Sequence, residues 1–326
     1  MSFKDILGQE KQKSVLSRSL ERDRISHAYL FHGIRGIGKF ETARVFARAL
    51  NCLTLTGDAC DGCSSCRKSM AGNHADITEI RPDGAFIKMA AIRELQHQIQ
   101  FRPYEGKRRV FLIDDAERMN GPSANALLKT LEEPGPGNVL ILVSSSPHGL
   151  PRTIPSRCQP LRFDPLRDDM ISAFLTSRHS IDSARADLIA AASGGSLEKA
   201  LEMLQEGYHT RKNDLIARIA ACLERKDPAD FFSLPVLFGE NRQEIIGKLH
   251  ILETWYRDML VTREKGPPGT LIHPDLADRT ENMSLKFSTR SILSAIDAVR
   301  RAREAVEQNG NRQLTLESML FKLVAI

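Results

Sequence analysis

The sequence predicts an α/β domain with a parallel sheet, followed by an all-helical region. Between Tyr29 and Val143, short apolar runs typical of buried strands alternate with stretches of helical periodicity. This alternation indicates a parallel sheet covered by helices on both faces. From residue 206 onward only long amphipathic stretches follow. A chain of 326 residues is too long for one ordinary core, so we expect more than one domain.

A glycine-rich loop lies between the first predicted strand, over 27–32, and the first predicted helix, over 41–50. Its glycines, which would let successive backbone N–H groups surround a phosphate, are Gly33, Gly36 and Gly38. Lys39 would neutralise the phosphate oxygens. Phe40 follows, where a serine or threonine hydroxyl would hold Mg²⁺. Because a phenyl ring cannot ligate a metal, we expect weak or absent binding of ATP with Mg²⁺ and no intrinsic hydrolysis.

The alternation continues along the chain. Strands are predicted over 75–80, 109–113 and 139–143, and helices over 90–100 and 124–132. Three serines, Ser144 to Ser146, follow the last strand, where a polar side chain would lie near a γ-phosphate. A simple turn explains the same serines equally well.

A pair of carboxylates follows the strand over 109–113. The carboxyl ends of parallel strands face the ligand crevice, so Asp114 is expected to hold Mg²⁺ directly or through water. Asp115 stands where ATPases of this type place a glutamate that orients water. Its side chain is one methylene shorter, and a displacement of about 1 Å can cost on the order of 100-fold in rate. A helix N-cap is the alternative role for Asp115.

Four of the six cysteines are clustered with the spacing C-x7-C-x2-C-x2-C. They are Cys52, Cys60, Cys63 and Cys66. This spacing brings four thiolates within reach of one tetrahedral Zn²⁺, and four cysteines leave no open position on the metal. We therefore expect a structural zinc ion, with four unconnected thiols in a loop as the alternative.

Composition and charge narrow the class of protein. The formal net charge of +5, with 27% charged residues, permits contact with nucleic acid without requiring it. The first residues lack signal-peptide character and no apolar run reaches the length of a membrane span, so we expect a cytoplasmic protein with no membrane contact. In that reducing compartment the cysteines do not indicate disulfides.

The region after residue 206 is predicted to be helical. Helices are expected over 214–223, 243–260 and 291–307, with breaks at 227–228 and 266–269. Trp255, Tyr256 and Met259 share one helical face, which predicts packing in a core. The arginine-rich run over 300–303 is a candidate for contact with DNA, but a solvated helix face is the favoured interpretation.

Several short motifs together resemble a known family. They are the loop over 33–39, the four-cysteine segment, Leu127 to Pro134, and Ser156-Arg157-Cys158. With them the chain resembles bacterial sliding-clamp loader subunits, which belong to the AAA+ ATPases, strongly to about residue 205 and weakly beyond it. The resemblance implies an AAA+ P-loop domain over 1–163 with a zinc module inserted at 52–66, a helical lid domain over 164–205, and an all-α collar domain over 206–326.

The resemblance also assigns a role to Arg157. In this family the arginine of Ser-Arg-Cys is a finger that reaches the ATP of the neighbouring subunit, and such a finger can contribute about 10³ to 10⁵ in rate. The segment 193–201 resembles the family's second sensor, where an ATP-hydrolysing subunit has an arginine and this chain has Glu198. Phe40, Asp115 and Glu198 thus depart from the pattern in the chain's own site, whereas Arg157 does not.

This combination resembles a non-hydrolysing stator subunit in a hetero-pentameric loader ring of the DNA polymerase III holoenzyme. The implied partners are gamma/tau motor subunits, the delta subunit, the sliding clamp, and primed DNA through the complex. One alternative is an active ATP-hydrolysing motor, with Mg²⁺ held without a hydroxyl beside Lys39. Another is a zinc-dependent regulator that binds nucleic acid, although only Arg67 and Lys68 are basic residues close to the cysteines.

Overall fold

The computed structural model describes residues 1–84, 86–205, 207–225, 234–307 and 310–324, without the side chains of His148 and Pro268. The chain forms two compact units. Unit 1 consists of Met1–Ser180 and Gly194–Lys199, and unit 2 consists of Ile181–Ser193 and Ala200–Ile326. The finer division into domains over 1–163, 164–205 and 206–326 stays a prediction.

Unit 1 contains a five-stranded sheet in the order β2-β3-β4-β1-β5. The strands are β1 (Ala28–His32), β2 (Ile77–Ile80), β3 (Arg109–Ile113), β4 (Asn138–Ser144) and β5 (Gln159–Arg162). Every neighbouring pair is parallel, so the predicted parallel sheet is confirmed. The carboxyl ends of all five strands therefore meet at one edge, which is where ligands bind in sheets of this kind.

Helices connect these strands and continue to the end of the described chain. They are α1 (Glu10–Glu21), α2 (Lys39–Leu50), α3 (Ser64–Met70), α4 (Met89–Gln98), α5 (Gly121–Glu132), α6 (Asp168–His179), α7 (Ser183–Ser193), α8 (Leu197–Glu202), α9 (Tyr208–Arg225), α10 (Arg242–Arg263), α11 (Ala277–Lys286), α12 (Thr289–Glu307) and α13 (Arg312–Val324). Local chemistry sets their starts: at α5, for example, the Asn120 side chain accepts a hydrogen bond from the N–H of Ser123.

The core of unit 1 is built from the strands. β3 and β4 are apolar along nearly their whole length and buried, as expected for strands covered on both faces. Leu127 and Leu131 of α5 pack in the same apolar cluster as Phe111 of β3. This packing holds the strands in place, and with them the loops that follow the carboxyl ends of β1, β3 and β4.

Unit 2 is helical in its described residues, as predicted from the periodicity. Trp255, Tyr256 and Met259 of α10 are buried in one apolar cluster, which confirms their predicted place in a core. The predicted break at 227–228 lies outside the described residues, and α10 ends at Arg263, just before the break predicted at 266–269. Among the described helices, we find none with the length and apolar character needed to cross a membrane.

Candidate nucleotide site and metal centre

The glycine-rich loop follows β1 and ends where α2 begins. Gly38, in the left-handed region at φ +85°, is the N-cap residue of α2, a conformation that glycine adopts without strain. A Cβ atom at Gly36 would lie 2.3 Å from Ser196 Oγ and 2.5 Å from Glu198 Cβ. The loop therefore has the predicted order of strand, loop and helix, and Gly36 is needed for the close approach of the segment around Glu198.

Lys39 is directed into this loop. Its side chain is buried, and Nζ donates hydrogen bonds to the carbonyl oxygens of Gly33 and Ile34, at 2.8 and 2.6 Å, and to Ser145 Oγ at 3.2 Å. Burial lowers the pKa of Lys39 to about 8. The loop's own carbonyl groups thus use the donors that would otherwise face a phosphate.

Asp114 and Asp115 lie at the carboxyl end of β3, as predicted. The N–H of Asp114 donates to Ile80 O of β2 at 2.9 Å, so the sheet hydrogen bonding extends to this residue. Burial raises the pKa of the Asp114 carboxyl, and the charge of Asp115 adds to this effect. Asp115 occupies the N-cap position of a short 3₁₀ helix without a side-chain cap hydrogen bond. Its carboxylate is instead 3.7 Å from Arg118 Nη1.

Glu117 is a residue at this edge that the sequence analysis missed. Its Oε1 accepts a hydrogen bond from the N–H of Ser145 at 3.0 Å, and its Oε2 is buried with no hydrogen-bond partner among the described residues. Among nearby carboxylates, Glu117 makes the largest contribution to keeping Lys39 charged. The only signal in the sequence is a third carboxylate two positions after Asp115.

Phe40 replaces a metal-binding hydroxyl, and two arginines surround its ring. Arg44 Cζ is 5.0 Å and Arg81 Cζ 4.8 Å from the ring centroid, within the range of cation–π contact. Glu79 connects the two arginines: it accepts from Arg44 Nε and Nη2 at 2.7 and 2.8 Å and from Arg81 Nη2 at 3.1 Å. The residues present here do not fit Mg²⁺ in the arrangement that the phosphate loop requires.

Glu198 lies against the phosphate loop. Its N–H donates to Gly36 O at 3.3 Å, and its carboxylate is 3.2 Å from Arg35 Nε. Both partners of this ion pair are about half exposed. The position predicted to hold a second sensor is therefore beside the loop, with a negative charge that a loop arginine neutralises.

The four predicted cysteines come together in the structure. Their Sγ atoms all lie within 4.8 Å of one another, and Cys60 Sγ is 3.8 Å from Cys66 Sγ. Zn–S bonds of about 2.3 Å in a tetrahedron place two sulfur atoms about 3.8 Å apart. Backbone N–H groups donate to three of the sulfurs, those of Cys52, Cys60 and Cys63. The cluster fits a tetrahedral zinc site.

The thiols differ in their acidity. A hydrogen bond with Thr54, followed by the N–H of Cys63, lowers the pKa of Cys60 to about 6. Burial raises the pKa of Cys66. At Cys52 burial raises the pKa, but backbone N–H groups, that of Leu55 first, lower it overall. Zn²⁺ binds the thiolate form, so metal binding to this cluster would release protons.

Arg157 is presented by a short 3₁₀ helix, Pro155–Arg157, just before β5. Cys158 is buried in the unit 1 core, whereas the Arg157 side chain is 35% exposed. Arg157 Nε and Nη2 both donate to Glu132 Oε1, at 3.0 and 2.6 Å, and Nη1 donates to Thr153 O at 3.1 Å. The guanidinium is thus held at the surface of unit 1 by the last residue of α5.

The geometry defines a class: a P-loop protein of the ATPase type, with the loop between β1 and α2 and a carboxylate at the end of β3. The family described as "DNA polymerase III, delta subunit" matches residues 8–167, and "DNA polymerase III, delta subunit, C terminal" matches 208–324. DNA polymerase III subunit delta' of Bacillus subtilis is 32% identical over 320 residues, 97% of this chain and 96% of the relative. The chain belongs to the delta-prime family of DNA polymerase III clamp-loader subunits.

The tau and gamma subunits of DNA polymerase III are also similar to this chain. Tau/gamma of Haemophilus influenzae is 35% identical over 249 residues, 73% of this chain and 35% of the relative. Tau of Escherichia coli is 38% identical over 212 residues, 63% of this chain and 33% of the relative. Among solved structures, a gamma subunit-related protein of Thermotoga maritima has 18% identity and a TM-score of 0.42, covering 90% of this chain and 99% of its own. The delta' relative is matched over nearly its whole length, whereas these two relatives of Haemophilus influenzae and Escherichia coli are matched over about a third of theirs.

Proposed function

We propose that this clamp-loader subunit does not hydrolyse ATP and instead supplies Arg157 to the ATP site of a neighbouring subunit. The observation that carries the proposal is an asymmetry within unit 1. The chain's own site has Phe40 in place of the metal hydroxyl, Asp115 beside Arg118, and Glu198 beside the loop. Arg157, in contrast, is on an exposed turn with its guanidinium at the surface.

The nucleotide site argues against turnover on two grounds. The Nζ atom of Lys39 donates its hydrogen bonds to the carbonyl oxygens of Gly33 and Ile34 and to Ser145 Oγ. The residue after it offers no oxygen to a metal, and Mg²⁺ in phosphoryl transfer bridges and neutralises the reacting phosphates. Binding of ATP with Mg²⁺ should therefore be weak or absent.

Arg157 suits a role in trans. Its backbone is fixed by buried Cys158, which lies in the apolar core of unit 1, and its side chain is bound only by surface groups. A planar guanidinium can donate two parallel hydrogen bonds to a phosphate, which is stronger than its bond to one carboxylate oxygen. We infer that the partners are gamma/tau motor subunits and delta in a hetero-pentameric ring that loads a sliding clamp onto primed DNA.

The cysteine cluster is proposed to bind one structural Zn²⁺ through Cys52, Cys60, Cys63 and Cys66. Its surroundings favour this role over a nucleic-acid-binding module. Of the two nearby basic residues, Lys68 is already paired with Glu105. Only a small apolar cluster, including Ala49 and Ala59, packs around the sulfurs, so a metal would supply much of the stability of this segment.

The test of the proposed function is reconstitution with the motor subunits. Arg157→Ala should leave assembly intact and change the free energy of unfolding by less than about 1 kcal/mol, because the side chain is at the surface. Turnover at the neighbouring ATP site should fall by about 10³-fold or more, and clamp loading with it. Lys39→Ala should have a smaller effect on the same activities.

The reverse result would identify the chain as a motor. If Arg157→Ala loaders hydrolysed ATP at the wild-type rate while Lys39→Ala abolished hydrolysis, the roles proposed here would be exchanged. A steady-state ATPase assay of the isolated chain adds a second check. Turnover of about 1 s⁻¹ or more, which is typical of working enzymes, would contradict the proposal.

A further inference from the structure

Phe40 removes a metal ligand from the phosphate loop, and it also brings two arginine side chains next to its ring. In a working phosphate loop the metal lies between the hydroxyl that follows the lysine and the carboxylate at the end of the neighbouring strand. Here these two positions are Phe40 and Asp114. A third side chain, that of Arg81, lies over the Phe40 ring, and its charge acts on the Asp114 carboxyl.

Strand register explains why Arg81 arrives there. Ile80 of β2 is paired with Ile113 of β3, and the N–H of Asp114 donates to Ile80 O. Arg81 is the residue after Ile80, so its backbone leaves the sheet edge next to Asp114. Its guanidinium carbon then lies 4.8 Å from the centroid of the Phe40 ring.

The arginine is held in this place by an aromatic ring and a carboxylate, those of Phe40 and Glu79. Phe40 offers an aromatic face to Arg81 and to Arg44, and a planar guanidinium stacks well on such a face. Glu79 accepts hydrogen bonds from both guanidinium groups. The positive charge of Arg81 also favours the ionised form of Asp114 and opposes the effect of its burial.

We propose that the Arg81 guanidinium, stacked on Phe40 and bound by Glu79, is a resident cation that fills the place of Mg²⁺ beside the phosphate loop and excludes the divalent ion. Under this proposal, Phe40 holds the positive charge of Arg81, and that charge replaces the charge of the metal ion. This inference deepens the proposed lack of turnover, but it rests on the contacts of Arg81 and not on the role of Arg157.

The test is a titration of the zinc-loaded full chain with Mn²⁺, followed by the electron paramagnetic resonance signal of the unbound ion. The wild type should bind Mn²⁺ poorly. Arg81→Ala should bind one Mn²⁺ per chain at least about tenfold more tightly, because a fixed like charge a few ångströms away opposes a divalent cation by more than that amount. Arg81→Lys keeps the charge and should still exclude Mn²⁺.

Two controls make the result specific. Arg35→Ala removes the same charge from the phosphate loop itself, at the ion pair with Glu198, and should leave Mn²⁺ affinity near the wild-type value. Adding Asp114→Asn to Arg81→Ala should abolish the gain. Arg81→Gln provides a variant of similar size, and a thermal scan verifies that each variant folds.

Two results would overturn the proposal. One is an equal gain in Mn²⁺ affinity for the Arg81→Ala and Arg35→Ala chains. The other is a wild-type chain that already binds one Mn²⁺ through Asp114. Neither readout involves ATP or a partner subunit, so failure here is distinguishable from failure of the stator role, which the reconstituted loader tests separately.

Discussion

Arg157 forms an ion pair with Glu132, and this contact must break before the guanidinium can reach a phosphate on another subunit. Glu132 holds two of its donors on one carboxylate oxygen. Under the proposed role, Glu132 competes with the phosphate for the guanidinium. We predict that Glu132→Gln lowers the ATP concentration needed for half-maximal activity of the reconstituted loader by about 2- to 5-fold, which corresponds to an exposed ion pair of about 0.5–1 kcal/mol.

The neighbouring glutamate is a matched control for this substitution. Glu133→Gln removes the same charge one position further along the chain, where the residue ends α5 through its backbone N–H. It should leave the ATP dependence of the loader unchanged. An unchanged ATP dependence in Glu132→Gln itself would mean that the ion pair does not restrain Arg157.

Asp76 is a buried carboxylate with a structural task. It accepts hydrogen bonds from the N–H groups of three successive loop residues, 104–106, and from the Arg109 guanidinium. We predict that Asp76→Asn lowers the free energy of unfolding by about 3–5 kcal/mol, because it breaks a buried ion pair and replaces an acceptor oxygen with a donor. Urea denaturation measures this. Asp83→Asn, at an exposed carboxylate, should cost less than about 1 kcal/mol.

Helix α3 depends on the cysteine cluster. Cys63 is its N-cap residue, and its Sγ accepts the N–H of Cys66. We predict one zinc ion per chain after purification without chelators, and a loss of zinc occupancy in Cys63→Ser, measured by elemental analysis. Removal of zinc should also unfold the segment over 52–66, since few apolar side chains remain to hold it.

A second cysteine tests whether the effect belongs to the cluster. Cys158→Ser also replaces a buried thiol, but in the main core of unit 1, and should keep full zinc occupancy. Binding should weaken as the pH falls, because protons compete with zinc for the thiolates. Full zinc occupancy in Cys63→Ser would count against the four-cysteine site.

Elements with strong local signals were predictable from the sequence. β1, β3 and β4 are largely apolar, and β2 alternates between apolar and polar residues, so the positions of these four strands were predicted within a few residues. β5 was not predicted, because it is a short strand with Pro160 whose residues are mostly exposed. Only pairing with β1 defines it. Helix α1 was missed as well: its N-cap is Gln9 with a left-handed backbone and no side-chain cap hydrogen bond, so the usual start signal is absent.

The site was predictable where one short motif contains it. The four cysteines follow from local spacing, and their sulfur atoms are found together. Lys39 and Asp114 also follow from short motifs, and they are found near each other in the nucleotide site. Arg81 and Glu117 were not predictable, because a strand register and a 3₁₀ turn bring them to the loop from distant parts of the sequence. Glu132 likewise meets Arg157 only through the packing of α5. Spacing identifies which groups a motif contains, whereas folding decides which charges surround them.

Unit 2 contains a buried histidine that should make the stability of the protein depend on pH. The ring atom Nε2 of His273 lies 2.8 Å from Thr254 Oγ1, and the backbone N–H of His273 donates to the carboxylate of buried Asp258. Burial lowers the pKa of His273 to about 3, from an ordinary value of 6.5. Between these two values the unfolded chain binds the proton and the folded chain does not. Stability should therefore fall as the pH falls from 6.5 towards 3, by up to about 1.4 kcal/mol per pH unit.

The single tryptophan provides the measurement. Trp255 is buried in the core of unit 2, so its fluorescence during urea denaturation reports the unfolding of that unit. His273→Asn should reduce the dependence of unfolding on pH in this range, whereas His179→Asn, at an exposed histidine, should retain it. The same slope in both variants would show that other groups are responsible.

The stack on Phe40 also bears on how such a subunit can change over generations. A mutation that restored a hydroxyl after Lys39 would deprive Arg44 and Arg81 of the ring between them and still leave a cation in the metal's place. Loss of Arg81 first would leave the position after Lys39 without a hydroxyl, while Glu79 would keep its pair with Arg44. A return to metal binding at this position would therefore require at least two changes. Under the proposed role, the loss of catalysis is difficult to reverse. Selection then acts on the residues, such as Arg157, that this chain supplies to a neighbouring subunit.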